Sequence, residues 1–332
     1  MSSLPPHLPS RPADATPVAR TADDWSGVAA QCLQAGNLTQ AIGALRNALQ
    51  LDPSHGAAGL LITTLHQAGH VEEAFALGER YHREGPRNPR ALFRYGWLLA
   101  FLGERDRAEA LFRDLVALDR GGIYEAWGNG ELAYLARARG DARGAVSFME
   151  CATAAQPGDI VSRVGRAHMM VEAGQASVAV PLLEAELAAH PSARGFGGMP
   201  AALVLGWALR RLGQDAAASR WLDPLEPALF TTQPDASARQ LGMEPQQLLR
   251  RLAYLAVRGR CEQASELAQG AAHIPLYGAP DPRDGMLTPI SGEPRFRALL
   301  ARSWDDIDAQ RARLGWSALD RPGLGPAAGP AG

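Results

Sequence analysis

A glycine and an alanine held five residues apart recur seven times along the chain. The pairs are Gly36 and Ala41, Gly69 and Ala74, Gly103 and Ala108, Gly140 and Ala145, Gly174 and Ala179, Gly213 and Ala218, and Gly259 and Ala264. Successive alanines lie 33, 34, 37, 34, 39 and 46 residues apart. Twelve positions before the alanine a small residue recurs (Ala29, Gly96, Ala133, Ala167, Gly206), and twelve after it stands proline in four of the first five cases (Pro53, Pro86, Pro157, Pro191).

Each position has a physical reason in a pair of antiparallel helices. The glycine lacks a Cβ and can take the left-handed turn conformation that ends a first helix, and a polar stretch such as GERDRA then opens the second. The alanine sits one turn into that second helix, where small residues let the two helices approach closely. Apolar residues at helical spacing fill the seam: Leu45 and Ala48, Phe112 and Leu115, Met149 and Ala152. Proline stops the second helix. A helix-turn-helix unit of about 34 residues is the period of one repeat family.

The chain resembles a tetratricopeptide-repeat protein. Its first unit carries the sparse family signature in Trp25, Ala29, Gly36, Ala41, Leu45, Ala48 and Pro53, and the match runs over residues 22–273 in about seven units. The resemblance implies an all-α, right-handed superhelical solenoid. Departures are Gly78 in place of a large apolar residue in unit two, Glu186 in place of a small one in unit five, and an irregular insert from Phe230 to Glu244.

Stacked repeats need a polar outer face at each end. Pro294, Phe296, Leu299, Leu300, Trp304, Ile307 and Leu314, followed by Gly315, read as an amphipathic helix with a start and a stop. The segment EPRFRALLAR resembles the closing helix of many bacterial arrays of this family. The expected organisation is a disordered Pro-rich segment (1–21), the solenoid (22–273), a connector (274–292), a capping helix (293–316) and a disordered tail rich in Gly, Pro and Ala (317–332).

Composition bears on chemistry. All 33 basic residues are arginine. Without lysine there is no P-loop clamp, no kinase-type lysine and no Schiff base. A net charge of −2 disfavours a broad nucleic-acid footprint. Cys32, Cys151 and Cys261 are far apart and odd in number, which fits reduced, buried thiols of a cytoplasmic protein. No secretory leader is expected in the first twenty residues, and no apolar run suffices for membrane insertion. All-arginine usage with much Ala and Gly resembles proteins of GC-rich bacterial genomes.

Candidate chemistry is sparse. His66 and His70 flank the turn at Gly69 without a third ligand and are expected to be solvated, so no metal and no cofactor are expected. The cysteines have no histidine near in sequence, and no catalytic residue is assigned. The stretch GFGGMP (Gly195 to Pro200) has no preceding strand and is expected to be a loosened connection between units five and six. The pairs Arg210 and Arg211, Arg250 and Arg251, and Arg258 and Arg260 are expected on solvated helix faces.

The resemblance implies that the first helix of each unit lines a concave groove through its second, fifth, ninth, twelfth and thirteenth positions. The ninth positions are Ala30, Thr63, Trp97, Tyr134, His168, Trp207 and Ala253. With their neighbours they give a candidate partner-binding groove of Arg90, Phe93, Trp97, Phe101, Trp127, Tyr134, Arg137, His168, Leu203, Trp207, Arg210 and Arg211. Large aromatic anchors mixed with arginine suit a binding hot spot, although the same side chains can pack between units. Family members that clamp chaperone C-termini use lysine and asparagine, and Asp23, Ser26, Ala30, Gly56, Gly59 and Thr63 cannot build that clamp.

The expected function is a non-enzymatic scaffold holding a peptide segment of a partner protein. The alternatives are a transferase-associated subunit with a site embedded in the repeats, and a helical-repeat nucleic-acid binder.

Overall fold

A computed structural model describes residues 21–83, 88–195, 198–230, 244–271, 274 and 285–321. Residues 1–20, most of the insert after Phe230, most of the connector and residues 322–332 lie outside the described part, and with them the expectations of disorder placed there.

Among the described residues seven helical hairpins follow one another. The first helices are α1 (Ala22–Gln34), α3 (Ala57–Gln67), α5 (Pro89–Phe101), α7 (Ile123–Ala138), α9 (Ile160–Glu172), α11 (Ala201–Arg211) and α14 (Glu244–Val257). The second helices are α2 (Leu38–Leu51), α4 (Val71–Arg83), α6 (Arg105–Leu118), α8 (Ala142–Ala155), α10 (Ala176–Ala189), α12 (Asp215–Leu222) and α15 (Cys261–Gln269). A short α13 (Leu225–Phe230) follows α12, and a 3-10 turn (Gly285–Ile290) leads into α16 (Pro294–Arg313). Among the described residues the only β-type pairing is an isolated bridge from Arg194 to Pro200. The chain is an all-α repeat solenoid.

The turns form for the reason the sequence gives. Gly36, Gly69, Gly103, Gly140, Gly174, Gly213 and Gly259 all have positive φ, between 72° at Gly36 and 81° at Gly103. The amide after each glycine reaches back to a carbonyl of the first helix, as Asn37 does to Cys32 (2.8 Å), Glu104 to Leu99 (2.9 Å) and Arg260 to Leu255 (2.9 Å). This satisfies orphan carbonyls at the helix end. All seven paired alanines are buried. At Gly96 a Cβ would meet the Phe112 ring at 2.7 Å, and at Gly206 it would meet Leu222 at 2.5 Å, so the helices cross there without room for a methyl group.

Two of the three departures from the family pattern, Gly78 and Glu186, have causes in the packing around them. The space a large residue would take at 78 is filled by Tyr95, whose ring would lie 2.1 Å from a Cβ on Gly78. Glu186 receives two hydrogen bonds from Arg163, from Nε at 2.7 Å and from Nη2 at 3.0 Å. It binds the two helices of unit five where a small residue would let them close up.

Units are also tied by polar groups. The Asn88 side chain caps α5 by accepting from the amides of Arg90 and Ala91, and donates to the carbonyls of Ser54 and His55 in the unit before. Five of the six arginines expected on solvated faces serve as such ties, a correction to the expectation: Arg211 donates to the Val171 carbonyl (3.2 Å) and Arg258 pairs with Asp223 (2.6 Å). Arg250 is buried and donates to the Gly198 carbonyl (3.3 Å), Arg251 donates to the Leu229 carbonyl (2.6 Å), and Arg260 pairs with Glu226. Guanidinium groups satisfy backbone oxygens that these loosened connections would otherwise leave unpaired.

Successive first helices pack on one another more closely than successive second helices, which puts the first helices on the inside of the curve. The C-terminal helix α16 departs from a simple end cap. Its buried stripe of Phe296, Leu299, Leu300, Ser303, Trp304, Ile307 and Arg311 lies on one face at helical spacing. The near end packs on α15, as a cap does, with Arg302 donating to the carbonyls of Ala268 and Ala271. The far end reaches α4 and the hairpin turns of units two and three. A helix of this length spans about 30 Å, so α16 forms a chord from the last unit to the early ones. Beyond it, Leu319 and Arg321 fold back onto Asp308.

The expectation of buried thiols does not hold. Cys32 and Cys261 are partly exposed and Cys151 is exposed, because all three fall beside the packed stripe of their helices.

Candidate functional site

The twelve residues singled out in the sequence separate by burial. Leu203 is fully buried and Phe93, Trp207 and His168 nearly so, which makes Leu203 and Phe93 packing residues of the core and leaves Trp207 and His168 only an edge toward the inner side. Phe93 is held among Phe112, Tyr124 and Trp127, with ring centroids 6.1, 6.0 and 5.6 Å away. Trp127 is partly buried at the edge of that cluster, and Arg90 is exposed. Trp97 and Phe101 stack at 6.0 Å, one helical turn apart, and both rings meet His66.

His66 is therefore not the solvated turn histidine the sequence suggested. Its Nε2 faces Gln310 Oε1 at 2.9 Å, and burial pushes its pKa down against the opposing pull of Gln310 and Asp306. The cause is the returning C-terminal helix, which covers it. His70 is exposed, as expected.

Units four to six bring the remaining residues together. Arg137 of α7 donates to Glu172 of α9 at 2.7 Å, and its guanidinium lies 5.3 Å from the Tyr134 ring centroid. His168 Nε2 lies 3.4 Å from the same carboxylate, one turn away on α9. Its imidazole meets the Trp207 ring edge to face at 5.9 Å, and Arg211 sits 5.6 Å from the centre of that indole. Arg210 is partly buried and lies 3.7 Å from Asp215.

The Glu172 carboxylate is the electrostatic centre of this group. Burial pushes its pKa up, but the Arg137 charge and the His168 hydrogen bond outweigh burial and hold it at about 2. A buried carboxylate that stays ionised needs such partners. Burial also pushes the Tyr134 phenol well above its ordinary range, so it stays neutral.

A cleft of about 480 Å³ opens over this network. Arg137, Glu172, Trp207 and Arg211 form one wall, and Gly285, Thr288 and Pro289 of the 3-10 turn form the other. The sequence did not suggest this second wall. Gly285 has a positive φ of 58°, and a Cβ there would come within 2.7 Å of Glu172 Oε1. Only a glycine lets the turn approach this closely. Among the described residues no group of three or more His, Cys, Asp and Glu could hold a metal ion, and no helix is long and apolar enough to cross a membrane.

Comparisons with known proteins agree with this architecture. Residues 89–121, which comprise α5 and α6, match the family model of the tetratricopeptide repeat. A tetratricopeptide repeat protein from Parabacteroides merdae superposes with a TM-score of 0.51 at 13% identity, over 85% of this chain and 98% of that one. PilF of Pseudomonas aeruginosa gives 0.50 at 17% identity over 67% and 97%, and the human IFIT1 dimer with PPP-AAAA gives 0.50 at 16% over 74% and 60%. No curated protein matches the chain. Residues 89–121 thus carry a tetratricopeptide repeat, and the stacked hairpins share the fold of tetratricopeptide-repeat solenoids.

Proposed function

We propose that the protein is a non-enzymatic scaffold that holds a peptide segment of a partner protein in the cleft between units four to six and the 3-10 turn. One observation carries this reading: an exposed guanidinium, Arg211, stands over an indole at the mouth of a cleft whose inner charges are already paired. Glu172 is paired with Arg137, and Arg211, whose Nη1 donates to the Val171 carbonyl (3.2 Å), carries the charge that meets an incoming group. The complementary ligand is an apolar or aromatic side chain beside a carboxylate. Trp97, Phe101, Trp127 and Arg90 flank the same inner side and extend the surface toward unit three. Leu203 and Phe93 hold the helices that carry it. The three free cysteines fit work in a reducing compartment such as the cytoplasm.

Peptides selected from a displayed random library on the full chain test the proposal. Selected peptides should lose binding at least tenfold to Arg211→Glu and to Trp207→Ala, while Arg80→Glu on the outer face leaves them unchanged. Equal binding to wild type and Arg211→Glu would contradict it. A steep fall of binding with salt for single-stranded nucleic acid, with no peptide enriched, would favour the nucleic-acid reading instead.

A further inference from the structure

The two ends of α16 are held by different chemistry. Phe296, Leu299, Leu300, Trp304 and Ile307 are buried from the start of the helix to its second third, and the buried Ser303 hydroxyl accepts from the Ile274 amide at 2.9 Å. The far end has one buried residue, Arg311, and mixes polar contacts with the partly buried Leu314 and Trp316, whose ring also lies 5.8 Å from the Arg107 guanidinium. Arg311 donates to the Leu102 carbonyl (2.6 Å), to Glu104 (2.9 Å) and to the Ser317 carbonyl (2.7 Å). Arg313 donates to the Gly69 carbonyl (2.7 Å) and pairs with Glu72. Gly315, at a φ of 73°, ends the helix and turns Trp316 back, so that its ring meets Phe75 edge to face at 5.0 Å.

The surface beneath this end is a cation site built from two helix ends. Leu102 and Gly69 follow α5 and α3, where carbonyls lack intrahelical partners and the helix dipole is negative. Glu104 and Glu72 add two carboxylates beside them, and Phe75, whose ring already carries the Arg107 guanidinium at 5.5 Å, adds an aromatic contact for Trp316. Two arginines two positions apart, followed by an aromatic residue three further on, match it.

Such a contact is specific without being strong. The Arg313 and Glu72 side chains are each nearly half exposed, so water and salt screen their pair. Arg311 gives up hydration on burial, which offsets much of what its pairing returns. Apolar burial fixes the near end of the helix with no such offset. The far end can therefore open while the near end stays docked.

We propose that the Gln310–Trp316 end of α16 is a releasable latch, and that the turn edge of units two and three beneath it is a docking site for a basic–aromatic segment of a partner protein. The chain's own Arg311, Arg313 and Trp316 occupy that site and show what it recognises. It is separate from the cleft of units four to six and does not depend on it.

The test uses the full chain. In Arg311→Ala/Arg313→Ala/Trp316→Ala the latch is disarmed and the site is intact. A fluorescent peptide spanning residues 305–321 should bind this variant at least tenfold more tightly than wild type. Adding Glu72→Arg and Glu104→Arg should abolish that binding. In wild type, hydrogen exchange should be faster at residues 309–316 than at 296–304. A disarmed variant with wild-type helix content that binds no more tightly than wild type would overturn the proposal, as would binding that survives the two charge reversals. Equal protection of both ends of α16 in wild type would also overturn it, whether or not the variant folds.

Discussion

Glu172 shows how one side chain sets the character of the inner cleft. Its carboxyl is held at about 2 in the folded chain, against an ordinary value near 4.5. Above pH 4.5 both folded and unfolded chains carry the charge, and the favourable pairing with Arg137 and His168 is fully present. Between 4.5 and 2 the unfolded chain takes up a proton that the folded one refuses, so stability falls with acid. Thermal melts from pH 6 to pH 2.5 should show a steeper loss for wild type than for Glu172→Gln, whatever the starting stability of the variant. Parallel losses would mean that the carboxylate is not held as described. The aromatics of this cleft were legible in the sequence through the ninth repeat position, which set Tyr134, His168 and Trp207 on one side, and Arg137 and Arg211 through the twelfth and thirteenth. Burial was not legible: Leu203 and Trp207 occupy neighbouring turns of α11 and both are buried, and neither composition nor spacing distinguishes a core side chain from a groove one.

At the scale of helices the fold follows from local rules, and these are what a sequence carries openly. A glycine that must take positive φ and an alanine that must fit a close crossing are each dictated by residues within one hairpin. Gly78 is the instructive exception, because its reason lies in the next unit. Tyr95 of α5 fills the place a large residue of α4 would take, with its hydroxyl bonded to Glu79. Restoring the family residue should therefore harm the protein. Gly78→Leu should destabilise the chain by about 1–3 kcal/mol through overpacking against a ring with no exposed surface. Calorimetry checks this, and an unchanged or raised melting temperature would show that the α4 and α5 seam has room that the Tyr95 ring does not leave. The buried Arg250 makes the same point for polar groups. In sequence it looks like a solvated basic pair, and only the nearness of the Gly198 carbonyl, 52 residues away, explains its position.

For the whole molecule the decisive element is α16. Its apolar stripe and its start and stop were readable as a closing helix for the last unit. Its reach was not, because Arg311 and the Leu102 carbonyl are 209 residues apart and no local pattern marks the acceptor. The returning helix covers His66, places the second wall of the cleft through the 3-10 turn before it, and joins the end of the array to its beginning. It turns a row of hairpins, each in contact mainly with its neighbours, into a structure with a long-range tie. Spin labels at His70→Cys and Ala312→Cys, in a chain whose three native cysteines are replaced by serine, measure this tie directly. Both positions are exposed, next to Gly69 and Arg313. The free protein should give one short, narrow distance between the labels. A long or broad distribution in a chain with wild-type helix content would show that α16 caps only the last unit, and would contradict the closed arrangement described here.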